Sequence, residues 1–185
     1  QRGGRGRDRI IAFGADGNDR IRQRGGKGRD KLKAFGGKGD DFIDQKGGRG
    51  RDKLKAKGGQ GDDFIRQRGG KGRDRLRANG GEGNDRVIQK GGKGKDSFIY
   101  EASSGSDTAT LKGGRGRDEA LIMTHGVPVI VKTASGKILH ADKGAKTVIT
   151  VQSIRHITIV DEKGKKIFKT GKGFKGKIPE KGVVK

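Results

Sequence analysis

A block of 11 residues, Gly-Gly-x-Gly-x-Asp followed by a short apolar-polar run, recurs in phase from Gly3 onward, and nothing else in the chain constrains the fold as tightly. Copies start at positions 3, 14, 25, 36, 47, 58, 69, 80, 91, 102 and 113. The Asp at the sixth place never fails: Asp8, Asp19, Asp30, Asp41, Asp52, Asp63, Asp74, Asp85, Asp96, Asp107 and Asp118. A unit this short cannot bury an apolar face alone, so copies must stack on one another. Odd and even blocks differ. Odd blocks carry a cation at place five (Arg7, Arg29, Arg51, Arg73, Lys95, Arg117), where even blocks carry Asn18, Asp40, Asp62, Asn84 and Ser106. Place ten alternates between Ala12, Ala34, Ala56, Ala78 and Gln23, Gln45, Gln67, Gln89. The true period is therefore 22 residues, which predicts an all-β parallel solenoid with two short strands and two glycine-rich turns per coil.

Side chains alternate faces along a strand. Place eight is apolar in nearly every block (Ile10, Ile21, Leu32, Ile43, Leu54, Ile65, Leu76, Val87, Phe98), so places eight and ten are expected inside. Places seven, nine and eleven then face out and are mostly Lys or Arg. The inward Gln residues need hydrogen bonds, which stacked Gln side chains can supply to one another between coils. Only 28% of the chain is hydrophobic and 4% aromatic, with 38 Gly. Those figures would indicate disorder in an ordinary chain. A solenoid can still fold with them, because stacked backbone hydrogen bonds, helped by bound ions, replace a thick core.

Glycine at the first, second and fourth places permits turns with positive φ, which aim carbonyls and the Asp carboxylate at one point. Stacking sets equivalent Asp residues about 4.8 Å apart. Two carboxylates at that distance repel by about 1 kcal/mol in water and about 3.5 kcal/mol at an effective dielectric of 20. A cation between coils relieves this, and calcium, which takes six to eight oxygens from carboxylates and carbonyls, suits the geometry. Capping of turn N–H groups by the same carboxylates, with no metal, is the alternative.

The blocks resemble the RTX calcium-binding repeat, GGxGxDxUx with U apolar. GGKGDDFID, GADGNDRIR, GGQGDDFIR and GGEGNDRVI carry the likeness, which covers about two-thirds of the chain. The resemblance implies a right-handed parallel β-roll with calcium between turns, in a secreted bacterial protein at the cell surface or outside the cell. It also implies that the sixth-place Asp residues, joined on the even side by Asn18, Asp40, Asp62 and Asn84, are metal ligands. Two departures matter. The repeat is 11 residues instead of nine, which lengthens each strand. Odd blocks place Arg or Lys where the family favours Asn or Asp, so the odd turn holds either calcium or a ladder of Arg–Asp pairs.

The repeat decays in ASSGSDTATLK and GGRGRDEALIM, and the array is expected to end at residue 123. Over 124–168, β-branched runs separated by Ser135-Gly136, Lys143-Gly144 and Lys163-Gly164 predict hairpins packed as a small β cap over the open end of the stack. The stretch 169–185 is Lys/Gly-rich and expected to be mobile. Gln1-Arg2 match the ends of even blocks, so the chain is expected to begin inside the array. There is no Cys, and no ligand-like spacing joins His125, His140 and His156. Neither a Ser/His/Asp set nor a carboxylate pair stands out, and no enzyme is expected.

The formal charge is +23, shared between an array of +13 and a tail of +10. That exceeds what solubility requires. Arg5, Arg7, Lys27, Arg29, Arg49, Arg51, Lys71, Arg73, Lys93 and Lys95 are the candidate contacts for a polyanion: acidic polysaccharide, lipopolysaccharide or an anionic protein assembly. A structural or adhesive role follows. Nucleic acid is the competing partner, because Arg24-Gly25-Gly26-Lys27-Gly28-Arg29 reads like an Arg-Gly box. Against it stand the scarcity of aromatics for stacking and the strict register of Asp. A self-assembling fibre or coat is the third reading.

Overall fold

The computed structural model describes residues 1–170. Every regular element among them is a β-strand, and no helix long and apolar enough to cross a membrane occurs. The chain winds as a parallel β-solenoid of about seven turns, each position lying opposite the residue 22 further on. Odd blocks build one sheet from Arg9–Asp16, Lys31–Lys38, Lys53–Gln60, Arg75–Glu82, Ser97–Glu101 and Glu119–Met123. Even blocks build the other from Arg20–Arg24, Phe42–Lys46, Phe64–Gly72, Arg86–Lys93 and Thr108–Arg115. The register is strict: Leu76 lies opposite Leu54, and Gln89 opposite Gln67.

The period-two pattern decides which face is buried. Leu32, Leu54, Leu76 and Phe98 from one sheet meet Ile43, Ile65, Val87 and Ala109 from the other, all buried. Beside them run the small row Ala34, Ala56, Ala78 and the polar row Gln23, Gln45, Gln67, Gln89. Gln45 Nε2 donates to Gln23 Oε1 at 2.8 Å and to the Lys55 carbonyl of the opposite sheet at 3.0 Å. Gln67 repeats this on Gln45 and Arg77. The ladder thus binds coil to coil and sheet to sheet, filling the width that Ala leaves open. Toward the C-terminal end Tyr100, Ile122 and Leu111 take these rows, and the core becomes apolar throughout.

Glycine at place four is a steric requirement. Gly50 has φ 149°, and a Cβ there would overlap the Gly28 carbonyl of the preceding coil. At place two of the first even turn the chain departs from the rule: Ala15 adopts φ 93° without being glycine.

Beyond residue 123 the strand Thr147–Gln152 lies parallel on Thr108–Arg115, and His156–Val160 lies parallel on Glu119–Met123, so both sheets gain a further strand. Thr147 Oγ1 takes the N–H of Asp107 at 3.3 Å, the bond that a following Asp carboxylate supplies elsewhere. Val129–Thr133 then pairs parallel with Thr147–Gln152. Antiparallel strands close each side: Ile138–Ala141 on Val129–Thr133, and Lys166–Lys169 on His156–Val160. From residue 171 on, the Lys/Gly-rich tail lies outside the described residues.

Candidate functional site: two unlike turns

The turns place the sixth-place Asp residues at the inner corners of each coil. Asp30, Asp41, Asp52, Asp63, Asp74, Asp85, Asp96, Asp107 and Asp118 are all buried, while Asp8 and Asp19 of the first coil are half-buried. Each carboxylate from Asp30 onward reaches back one coil and accepts the N–H of the preceding Asp in its column through Oδ1. Asp52 takes the N–H of Asp30 at 2.9 Å, and Asp63 that of Asp41 at 2.8 Å. The capping role weighed against a metal is therefore formed. It uses one oxygen, and only at Asp30 and Asp107 does the other also find a donor, the Gly26 N–H in the first case and the Tyr100 and Ser103 hydroxyls in the second. Oδ2 of Asp19, Asp41, Asp52, Asp63, Asp74, Asp85, Asp96 and Asp118 is buried with no hydrogen-bond partner among the described residues.

The unpartnered oxygen lies against the first glycine of its own turn. A Cβ built on Gly47 would lie 2.6 Å from Asp52 Oδ2 and 2.6 Å from the Gly69 carbonyl oxygen, so two acceptors crowd one small space. Burial pushes the carboxyls of Asp41, Asp52, Asp63, Asp74, Asp85 and Asp96 up, opposed by the backbone hydrogen bond and reinforced by neighbouring Asp charges. Asp63 and Asp96 rise to about 6, Asp74 and Asp85 to about 7. Either a proton or a metal ion satisfies such an oxygen.

Fifth-place residues distinguish the two turns. On the even turn Asn18, Asp40, Asp62 and Asn84 are exposed and reach forward: Asn18 Oδ1 accepts the N–H of Asp40, Asp40 Oδ1 that of Asp62, and Asp62 Oδ1 that of Asn84, at 2.7–2.8 Å. Asp40 and Asp62 each add a second, outward oxygen beside the buried Asp41 and Asp63. Donor chemistry at the even turn thus fits a hard cation held by carboxylates and turn carbonyls. No three His, Cys, Asp or Glu converge on a point among the described residues, so carbonyls would have to supply most of such a shell.

The odd turn is different. Arg7, Arg29, Arg51, Arg73, Lys95 and Arg117 stand exposed at place five, beside Arg5, Lys27, Arg49, Lys71, Lys93 and Arg115 at place three. Each place-three residue lies in register on the next. Among the described residues none of these twelve pairs with an Asp of the inner column, so the Arg–Asp ladder is not formed. Of the twelve, Lys95 alone has an ion pair, to Glu119 at 3.8 Å. The corresponding places on the even turn read Asp16, Lys38, Gln60, Glu82 and Ser104. Charge is therefore sorted by edge: two unbroken cationic rows on one side, a weakly acidic edge on the other.

Several contributors lie outside the candidate contacts named from the sequence, although place seven is expected to face out and be basic. Arg9, Lys31 and Lys53, at place seven, border the odd turn and line one groove with Arg7, Arg29 and Arg51. Arg115 and Arg117 extend the rows, and the block starting at Gly113 carries the signal for both. Asp44 is buried and held by Arg66 at 3.0 Å and Arg68 at 3.1 Å. Burial alone would raise its carboxyl, but the two guanidinia outweigh that and hold it below the usual range. An Asp outside the sixth place, opposite Arg22 and Arg66, is the available clue.

Fold and turns define a class: a parallel β-solenoid with Asp ladders at its corners, of the β-roll kind, with one basic edge. No protein-family model matches the chain, and neither curated proteins nor solved structures give a match.

Proposed function

We propose that the chain is a rigid β-roll segment of a secreted bacterial protein with a structural or adhesive role, docking through its odd-turn edge on an anionic surface or acidic partner. The sorting of charge onto one edge carries this reading. A surface that served only solubility would intersperse its charges. Here twelve exposed Lys and Arg stand in two straight rows with a single ion pair among them. Straight rows at about 4.8 Å spacing favour an extended polyanion or a flat acidic surface, and unpaired guanidinia favour bidentate oxyanion contacts.

Calcium belongs to the same reading, on the even turn, where Asp40 and Asp62 stand beside the unsatisfied oxygens of Asp41 and Asp63. Bound there, it would neutralise the even-side carboxylate column and stiffen the stack. The support is the donor set and the four orphaned oxygens of that turn, on Asp19, Asp41, Asp63 and Asp85.

Binding to an immobilised acidic polysaccharide, with a neutral dextran as control, tests the docking edge. R29Q/R51Q/R73Q should weaken binding roughly tenfold at about 0.15 M salt. R20Q/R22Q/R86Q removes the same charge from the even sheet and should change affinity less than threefold, roughly. Equal losses would leave only non-specific attraction to net charge.

A further inference from the structure

The last even turn of the array is built unlike those before it. Ala102 and Ser103 replace the Gly-Gly pair of the repeat, and Ser106 replaces the fifth-place Asn or Asp. Tyr100 stands where earlier odd blocks place Ala12, Ala34, Ala56 and Ala78. The Asp107 carboxylate takes up these changes. Its Oδ1 accepts the N–H of Asp85 at 3.0 Å, as elsewhere in the column. Its Oδ2 accepts the hydroxyls of Tyr100 and Ser103, both at 3.3 Å. Tyr100 is fully buried, and Ser103 Oγ is held in turn by the N–H of Gly81 at 3.1 Å. At the earlier even turns a Cβ on Gly36, Gly58 or Gly80 would overlap Oδ2 of Asp41, Asp63 or Asp85, so glycine leaves those oxygens their room. Ala102 brings a methyl group to that place. On the far side, Thr147 Oγ1 stands in for the next carboxylate and takes the N–H of Asp107 at 3.3 Å.

We infer that Tyr100, Ala102 and Ser103 close the even Asp column to metal, so that its ion-binding run ends at Asp85 and Asp107 is not a ligand. The inference rests on the calcium reading above and fixes where along the column that reading stops. An oxygen that accepts two O–H groups has its lone pairs directed at protons, and a cation approaching it meets the positive ends of both dipoles. Oδ2 of Asp41, Asp63 and Asp85 meets no such donors among the described residues. Ser106 also replaces the fifth-place carboxylate or amide oxygen, which removes a hard donor from the same turn. The column thus satisfies its buried oxygens in two ways: with an ion where carboxylate stacks on carboxylate, and with hydroxyls where it meets the strand Thr147–Gln152.

Calcium bound per chain, counted by equilibrium dialysis of the whole chain, tests this. D107N keeps an acceptor for the Asp85 N–H and should bind as many ions as the parent, whereas D63N should bind fewer. Y100F/A102G/S103G/S106N writes the glycine pair and fifth-place Asn of the block at Gly80 into this turn. It should bind one ion more than the parent, and D107N added to it should abolish the gain. Circular dichroism in calcium verifies that each variant keeps its β signal. Equal losses from D107N and D63N would make Asp107 a ligand, which overturns the inference and leaves the calcium reading standing. A count unchanged in the fourfold variant would mean that these side chains are not what excludes the ion. If the parent binds no calcium, the calcium reading fails and the inference falls with it.

Discussion

At single residues the fold rests on backbone that strongly favours glycine and on carboxylates that cap the N–H groups of the preceding coil. Gly50→Ala meets both a φ of 149° and the Gly28 carbonyl, so it should cost well over the roughly 1–2 kcal/mol of a left-handed residue alone, measured by urea unfolding. Ala15 already bears such strain, and Ala15→Gly should slow amide exchange in the first two coils, a gain of about 1 kcal/mol. Asp63→Asn separates capping from the proposed ion binding. The amide keeps an acceptor for the Asp41 N–H and removes the buried charge. Without calcium, stability at pH 8 should hold or rise. In calcium, the variant should lose part of the gain that the parent shows. A gain identical in both proteins would exclude Asp63 as a ligand.

At the level of rows, Gln45→Leu should cost at least about 2 kcal/mol in urea unfolding despite its apolar replacement, because Gln23 Oε1 and the Lys55 carbonyl lose their donor. The Asp columns predict an unusual pH profile. Burial raises Asp63, Asp74, Asp85 and Asp96 to about 6–7 from an ordinary value near 4, so the folded state holds more protons than the unfolded one in that window. Stability without divalent ions should be full below about pH 4 as far as these groups decide it, and fall as pH rises through about 7. Calcium should flatten the decline. A melting temperature that instead rises from pH 5 to 8 in chelator would contradict the buried-carboxylate geometry.

For the whole molecule, the repeat made the coil, the two-sheet register, the Ile/Leu rows and the Gln ladder legible in the sequence, since each follows from a fixed period and the alternation of strand side chains. The corner was not legible. Whether an Asp oxygen caps an N–H, meets Arg51 or faces a carbonyl depends on sub-ångström placement of the turn, which the motif leaves open. The sidedness of charge was available in places three and five, yet its weight emerges only when stacking turns those places into continuous rows on opposite edges. Binding through the groove's six cations should weaken roughly a thousandfold between about 0.05 and 0.2 M salt.

Lysine reactivity tests the docking edge most directly, because both edges carry the reporter. Acetylation rates measured by mass spectrometry, with and without saturating polyanion, should fall several-fold, roughly, at Lys27, Lys71 and Lys93 on the odd turn. Lys38, alone on the acidic even turn, should react unchanged. Equal protection of Lys38 would mean that the polyanion coats the solenoid indiscriminately, and that the sorting of charge by edge does not direct binding.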